Sequence, residues 1–409
     1  MEAVPFDSTI AFLREGYPFI SSRCDALGTD LFTSRLALRP ITFIRGAEAA
    51  EIFYAHDRFT RVGALPPPAQ HLLQDAGSVH ALDGGAHRHR KAAFLSLVAP
   101  EAMARLGDLF EVQWHAAAQQ WQGQRRVVLH EQAREILTRT ACAWAGVPLP
   151  EHLVERRTRE FGLMIDNAAR FGPPNWYARA RRKATDRWAA GIIEDLRSGE
   201  LTAPEGTAVH LFAQHRDLDG ELLDPEVAAV ELLNILRPTV AVARFIVFAA
   251  VALEEHPQWR AAFAAGDESD LEAFVHEVRR YYPFFPAVPG RARKAFEWRG
   301  HRFAPGNWVM LDLYGTCHDA RLWENPHSFA PERFRGWSWE EHPWSLIAQG
   351  AGRHGEDHRC PGEWSTVELL KRATRLLVTT DFQVPVQDLS IPLDHFPALP
   401  KSGFVLTRS

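Results

Sequence analysis

Apolar residues recur every three to four positions through most of the chain, the period of an amphipathic helix. The spacing predicts helices near 8–26, 47–56, 84–121, 128–145, 150–167, 176–199, 206–216, 225–256, 258–266, 268–282 and 362–378. Short β-type runs, ALRPITFIR, AFEWRGHRF, WVMLDLY and GFVLTR, predict strands near the start and in the last third. The expected fold class is mainly α with small peripheral β-sheets. No Ser/Gly tract, charge block or internal repeat interrupts the pattern, so residues 1–409 are expected to form a single domain.

The longest predicted helix breaks its own pattern. It opens on Asp224-Pro225-Glu226, where Asp suits the N-cap, Pro the first helical position and Glu the positive end of the dipole. The run VAAVELLNILRPTVAVARFIVFAAVAL then extends to about Glu255, on the order of 45 Å at 1.5 Å per residue. Arg237 and Pro238 interrupt it. Pro238 lacks the N–H that would bond the carbonyl of Asn234, which invites a kink there. A charge inside an apolar helix must be paired, solvated or functional. Taken alone, half of a structural ion pair is the commoner case.

Cys360 shifts that balance. It follows a glycine-rich loop (Gly350-Ala351-Gly352, then Gly355), has His358 and Arg359 beside it, and precedes the helical run EWSTVELLKRATRLLV. A thiol just before a helix N-terminus is stabilised as thiolate by the dipole. An inert buried Cys is the alternative; the glycines and basic neighbours favour an anionic sulfur that binds a metal.

A third element adds specificity. Glu277 and Arg280 lie three apart in HEVRRYYP, and Pro331-Glu332-Arg333-Phe334 follows, 27 residues before Cys360. Glu-x-x-Arg alone usually means a surface pair of little worth. With the later Arg and the HRCPG segment, the chain resembles the cytochrome P-450 family over essentially its whole length. More narrowly it is similar to the bacterial fatty-acid peroxygenases, through VELLNILRPTVA, EVRRYYPFFPAV, MLDLYGTCHD, HRCPGEW and PALPKSGFV.

The resemblance implies a P-450 fold with haem b between the long central helix and the Cys loop, and Cys360 as axial ligand of the iron. Glu277, Arg280 and Arg333 would form a buried triad behind that loop. His87, Lys91, Arg291, His358 and Arg61 would face the haem propionates, with Arg88 and Arg90 on an exposed basic face. The family's usual acid–alcohol pair is missing from the central helix: Arg237-Pro238 stands there, and Thr239 follows without the acid. A substrate carboxylate held by Arg237 could supply the missing general acid–base with hydrogen peroxide as co-substrate. Attack would then fall on Cα or Cβ of a fatty acid. His80 is expected above the haem, where a protonated imidazole would favour decarboxylation to a terminal alkene. Leu72, Leu73, Gln74, Phe284, Phe285, Ala287 and Val288 are expected to wall the substrate tunnel. Alternatives are a reductase-dependent monooxygenase, a lipid-hydroperoxide lyase or isomerase, and a haem sensor without turnover.

Composition narrows the picture further. With 46% apolar residues, 13 Trp and 25 Phe, the chain can build a large core and line a greasy pocket as well. A formal net charge of −5 gives no reason to expect a nucleic-acid partner. Four cysteines without CxxC spacing suit a reducing cytoplasm rather than a disulfide or zinc framework. The N-terminus has no signal pattern, and the most apolar stretch, Phe245 to Leu253, is nine residues long between Arg244 and Glu254. No transmembrane anchor and no obligatory redox partner are expected.

Overall fold

The computed structural model describes residues 5–407 except 56, 76 and 122. Helices dominate, and most end where the sequence period ends: Leu129–Ala145, Glu151–Asp166, Pro173–Ser198, Leu271–Tyr281 and Glu363–Thr379. Two long predictions divide besides the central helix. The first splits into Thr9–Glu15 and Phe19–Leu27, because Gly16 takes a positive φ of 69° and Pro18 follows it. The second splits into Gly84–Ser96 and Pro100–Trp121, with Pro100 starting the new helix. Besides the five-residue Leu313–Cys317, which begins at the end of the strand expected at WVMLDLY, one short helix, Pro67–Leu73, has no counterpart in the sequence reading. Its Pro66-Pro67-Pro68 resembles a turn, yet proline is well suited to a first helical position.

A five-stranded sheet flanks the helices in the order Leu31–Leu36, Arg39–Ile44, Trp308–Asp312, Ala287–Ala292 and Phe59–Thr60. Its first hairpin turns on Ala37 and Leu38, both left-handed, with φ of 50° and 64°. Their amides are held by Thr9 Oγ1 and the Asp7 carboxylate, each at 2.6 Å, which offsets the strain.

The central helix runs as Pro225–Ala241 and Ala243–Glu255, with Val242 between them in a turn. The interruption thus lies one turn beyond the position expected from Pro238. The Val242 N–H bonds the Thr239 carbonyl at 3.2 Å, a tightened i−3 contact. Among the described residues this is the one stretch long and apolar enough to cross a membrane, and 89% of its apolar window is buried inside the fold. It is the axis of the main core, packed against Leu129–Ala145 and Pro173–Ser198.

Candidate active site

The Cys360 loop is built tightly. Gly350 and Gly352 have φ of 89° and 91°, and a Cβ on Gly352 would lie 2.5 Å from the Asp357 carboxylate. The Cys360 amide donates to the Gln349 carbonyl at 3.0 Å, and Lys91 donates to the carbonyls of Asp357 and Arg359, the latter at 2.8 Å. Lys91 therefore pins the loop directly, and burial lowers it to about 8. Burial, then the nearby Glu363, push the Cys360 thiol up, against the opposing Gly362 amide, Lys91 and Arg279. In the protein alone desolvation outweighs the helix end, so the metal would supply the rest of the stabilisation that a thiolate needs.

Behind the loop lie two buried charge networks. In the first, Arg280 donates to Glu277 at 2.6 and 2.7 Å, and Arg333 Nε sits 3.3 Å from the same carboxylate. In the second, Arg279 and Arg359 both pair with Glu363, and Arg279 also donates to Gln349 Oε1 at 2.9 Å. The second network was not found in the sequence, although Arg279 and Glu363 lie inside the quoted motifs. Arg359 also stacks 3.8 Å above the Trp339 ring.

The His276 Nδ1 faces Arg279 at 3.0 Å, so it must be the unprotonated acceptor nitrogen. Burial, reinforced by Arg279, lowers His276 to about 3, and burial, reinforced by Arg280, lowers His318 to about 3. Their folded values lie below the ordinary 6.5, so the unfolded chain binds more protons between those limits. Stability is then complete above about 6.5 and falls as pH drops toward 3, by up to about 1.4 kcal/mol per pH unit for each histidine. Thermal unfolding from pH 7 to 5 should show a falling midpoint, with a shallower slope in His318→Asn.

On the opposite face of the site, Arg61, His80, His87, Lys91 and His358 converge. Their mutual electrostatic influence places them together: His80 feels Arg237, Arg61, His87 and Lys91, and His358 feels Arg61, His87, His80 and Lys91. The His87 and His358 rings lie 3.9 Å apart. Arg291 does not join them: its strand position turns the guanidinium to the carbonyls of Gly63 and Gly306, at 2.7 and 3.1 Å. Arg61 stacks on Phe53 and donates to the Pro289 carbonyl at 2.9 Å. Two further expectations change. Arg90 is not on an exposed face but pairs with the buried Glu231 at 2.8 Å; its helix faces the central helix there, and Arg88 alone is exposed. Burial first, then Arg237, lower the His80 imidazole to about 3. Both effects oppose the protonated imidazole expected from sequence.

These residues fit a haem. Arg61, His80 and Cys360 lie deep in the fold yet keep accessible surface, so they face internal space. His80 Nδ1 is buried there without a hydrogen-bond partner. A cysteine on one side and clustered cations and imidazoles at the rim are the donors a haem with two carboxylates requires.

The Arg237 side chain, 4% exposed, points into the same region. It donates to the Leu72 carbonyl at 3.3 Å and to Asn234 Oδ1 at 3.1 Å, both neutral oxygens. Among the described residues no ion pair includes it. Burial lowers it to about 9, with Arg182 adding to the effect and the Asp186 and Asp75 carboxylates opposing it. Leu72 lies in the last turn of the short Pro67–Leu73 helix, and its carbonyl also accepts from Arg182 at 2.9 Å. Thr239 Oγ1 is bonded to the Ile235 carbonyl at 2.8 Å. Of the expected tunnel residues, Leu72 is fully buried, Leu73, Gln74, Ala287 and Val288 are half-buried, and Phe284 stacks on Phe245 at 4.1 Å. Phe285 is 44% exposed, because it lies past the helix end with its ring turned edge-on to Phe284, so it is not enclosed as a wall residue would be.

Comparison with known proteins agrees with this geometry. The cytochrome P450 family model matches residues 271–403. Cytochrome P450SP alpha (CYP152B1), solved in complex with (R)-ibuprofen, is 46% identical with a TM-score of 0.95, covering 99% of this chain and 98% of that one. The chain belongs to the cytochrome P450 family. Cytochrome P450EX alpha (CYP152N1) with myristic acid is 39% identical at a TM-score of 0.94, covering 99% and 97%. A variant of cytochrome P450 OleT with arachidonic acid is 33% identical at 0.93, covering 99% and 96%. Curated relatives match over less of their length: rhazimal synthase of Alstonia scholaris is 27% identical over 42% of this chain and 38% of that protein. Putative cytochrome P450 137 of Mycobacterium tuberculosis is 24% identical over 75% and 68%. As a cytochrome P450 the chain takes haem b.

Proposed function

We propose that this P450 is a cytoplasmic fatty-acid peroxygenase that uses hydrogen peroxide, without an obligatory redox partner, to hydroxylate long-chain acids at Cα or Cβ and to form some terminal alkene. The observation that carries the reading is Arg237: a buried guanidinium whose described partners are neutral oxygens. A fixed cation in a dry site calls for an anion. The P450 relatives solved with myristic and arachidonic acids support a fatty-acid carboxylate as that anion.

When bound, the haem supplies a thiolate-ligated iron at which the peroxide O–O bond is cleaved and oxygen is transferred. Cys360 would be its ligand; Arg61, His87, Lys91 and His358 would hold its carboxylates. The protein's own residues do the rest. Arg237 binds and orients the substrate carboxylate, which fixes Cα and Cβ nearest the reacting centre. That carboxylate takes a proton from the peroxide oxygen that stays and returns it to the leaving hydroxyl. Pro238 removes a backbone donor beside Arg237, and Thr239 is already committed to Ile235. The missing acid beside Thr239 is what disfavours the reductase-dependent alternative, since a hydroxyl that donates to Ile235 can still accept. Leu72, Leu73 and Phe284 exclude water around the chain.

Two measurements test the reading. A long-chain acid should bind at least about tenfold tighter than its methyl ester, the worth of one charge-assisted pair; equal affinities would remove Arg237 as the anchor. His80→Gln should lower the alkene-to-hydroxy-acid ratio, and an unchanged ratio would remove His80 from product control.

A further inference from the structure

The Arg237 side chain is held by a line of buried polar groups along one face of the central helix. Glu231 is fully buried, and its Oε1 accepts from the Val79 N–H and from Arg90, each at 2.8 Å. Its Oε2 accepts from Asn234 Nδ2 at 3.1 Å, and Asn234 Oδ1 accepts from Arg237 at 3.1 Å. Residues 231, 234 and 237 follow the three-residue spacing that puts side chains on adjoining turns of one helix face. The orientation of the Asn234 amide is forced: the carboxylate only accepts and the guanidinium only donates, so the NH2 must face Glu231 and the oxygen must face Arg237. A plain Arg90–Glu231 pair would not need Asn234. The Val79 N–H opens the turn Val79–Ala81, so the same carboxylate also anchors the segment that carries His80.

We propose that Glu231 and Asn234 are positioning residues for the carboxylate anchor, forming a relay Arg90–Glu231–Asn234–Arg237 that fixes where the guanidinium meets its ligand. The proposal rests on the reading of Arg237 as a carboxylate anchor. The relay fixes the direction of one guanidinium N–H, and the Leu72 carbonyl fixes another. Without it Arg237 keeps its charge but loses its aim.

The experiment compares the haem-loaded enzyme with Asn234→Ala and Glu231→Gln. In Glu231→Gln, an amide oxygen that keeps Val79 and Arg90 must turn its own NH2 on Asn234. Asn234 then flips, and donor faces donor at Arg237, with packing volume unchanged. Dissociation constants are measured by calorimetry for a long-chain fatty acid and for the fatty alcohol of the same length, alongside kcat and KM with hydrogen peroxide. The acid should bind about tenfold more weakly in both variants, as for one lost hydrogen bond to a charged group. The alcohol should stay within about twofold of the parent, because it never uses the aimed charge; KM should rise more than kcat falls. Unchanged acid affinity overturns the proposal, and so does an equal loss for acid and alcohol, which would assign the network to packing alone. If Glu231→Gln does not fold, Asn234→Ala decides by itself, since Glu231 keeps Val79 and Arg90 in that variant. A parent enzyme that binds acid and alcohol equally would instead overturn the anchor reading, before the relay is reached.

Discussion

Arg237→Leu should lower kcat/KM for fatty acids by at least roughly a thousandfold while leaving the protein at least as stable as the parent. The activity estimate joins two losses: a charge-assisted pair with substrate, about 1.5–3 kcal/mol, and a positioned general acid–base, about 10²–10⁴-fold. The stability half is more telling. Arg237 is buried and has no ion pair among the described residues, so two hydrogen bonds and the more distant Asp186 and Asp75 carboxylates offset its desolvation only in part. Leucine removes that cost and fills much of the volume. If Arg237 were half of a structural ion pair, the same substitution would destabilise the fold by several kcal/mol. Thermal unfolding and steady-state kinetics on one preparation separate the two. Arg237→Lys should recover only part of the activity, because an ammonium cannot grip a carboxylate at two points.

The largest loss of stability should follow from Glu277→Ala. Glu277 is fully buried and its carboxylate binds Arg280 twice, Arg333 once and the Ala330 N–H at 2.8 Å. Removing it strands the charge of Arg280, which then keeps only the carbonyls of Cys317, Pro326 and Ser328. Stranding one partner of a buried pair costs about 3–5 kcal/mol. Because Arg280 ties the Leu271–Tyr281 helix to the segment before the Cys360 loop, haem retention should fall with stability. Denaturant unfolding and haem content measured together check this; a loss under about 1 kcal/mol would contradict a buried triad.

Much of the fold was legible because helices such as Leu129–Ala145 and Glu151–Asp166 carry strong apolar periods between clear stops. The Pro67–Leu73 helix was not, since three prolines hide about two turns of helix whose role is to offer the Leu72 carbonyl. The site shows the same division. Arg237 and Cys360 stand out because each is chemically out of place in its local pattern. Glu231, Asn234, Arg90 and Glu363 do not, because a polar residue in a helix resembles any exposed one until tertiary packing buries it. The partner of Arg90 and the surroundings of His80 are hidden for the same reason, because burial and neighbouring charges are tertiary effects.

The most direct test is product analysis by mass spectrometry after mixing haem-loaded ferric protein, a long-chain fatty acid and hydrogen peroxide, with no reductase present. The account predicts α- or β-hydroxy acids together with an alkene one carbon shorter, all lost in Arg237→Leu. No turnover with peroxide, but turnover restored by a reduced nicotinamide cofactor and electron-transfer partners, would contradict it.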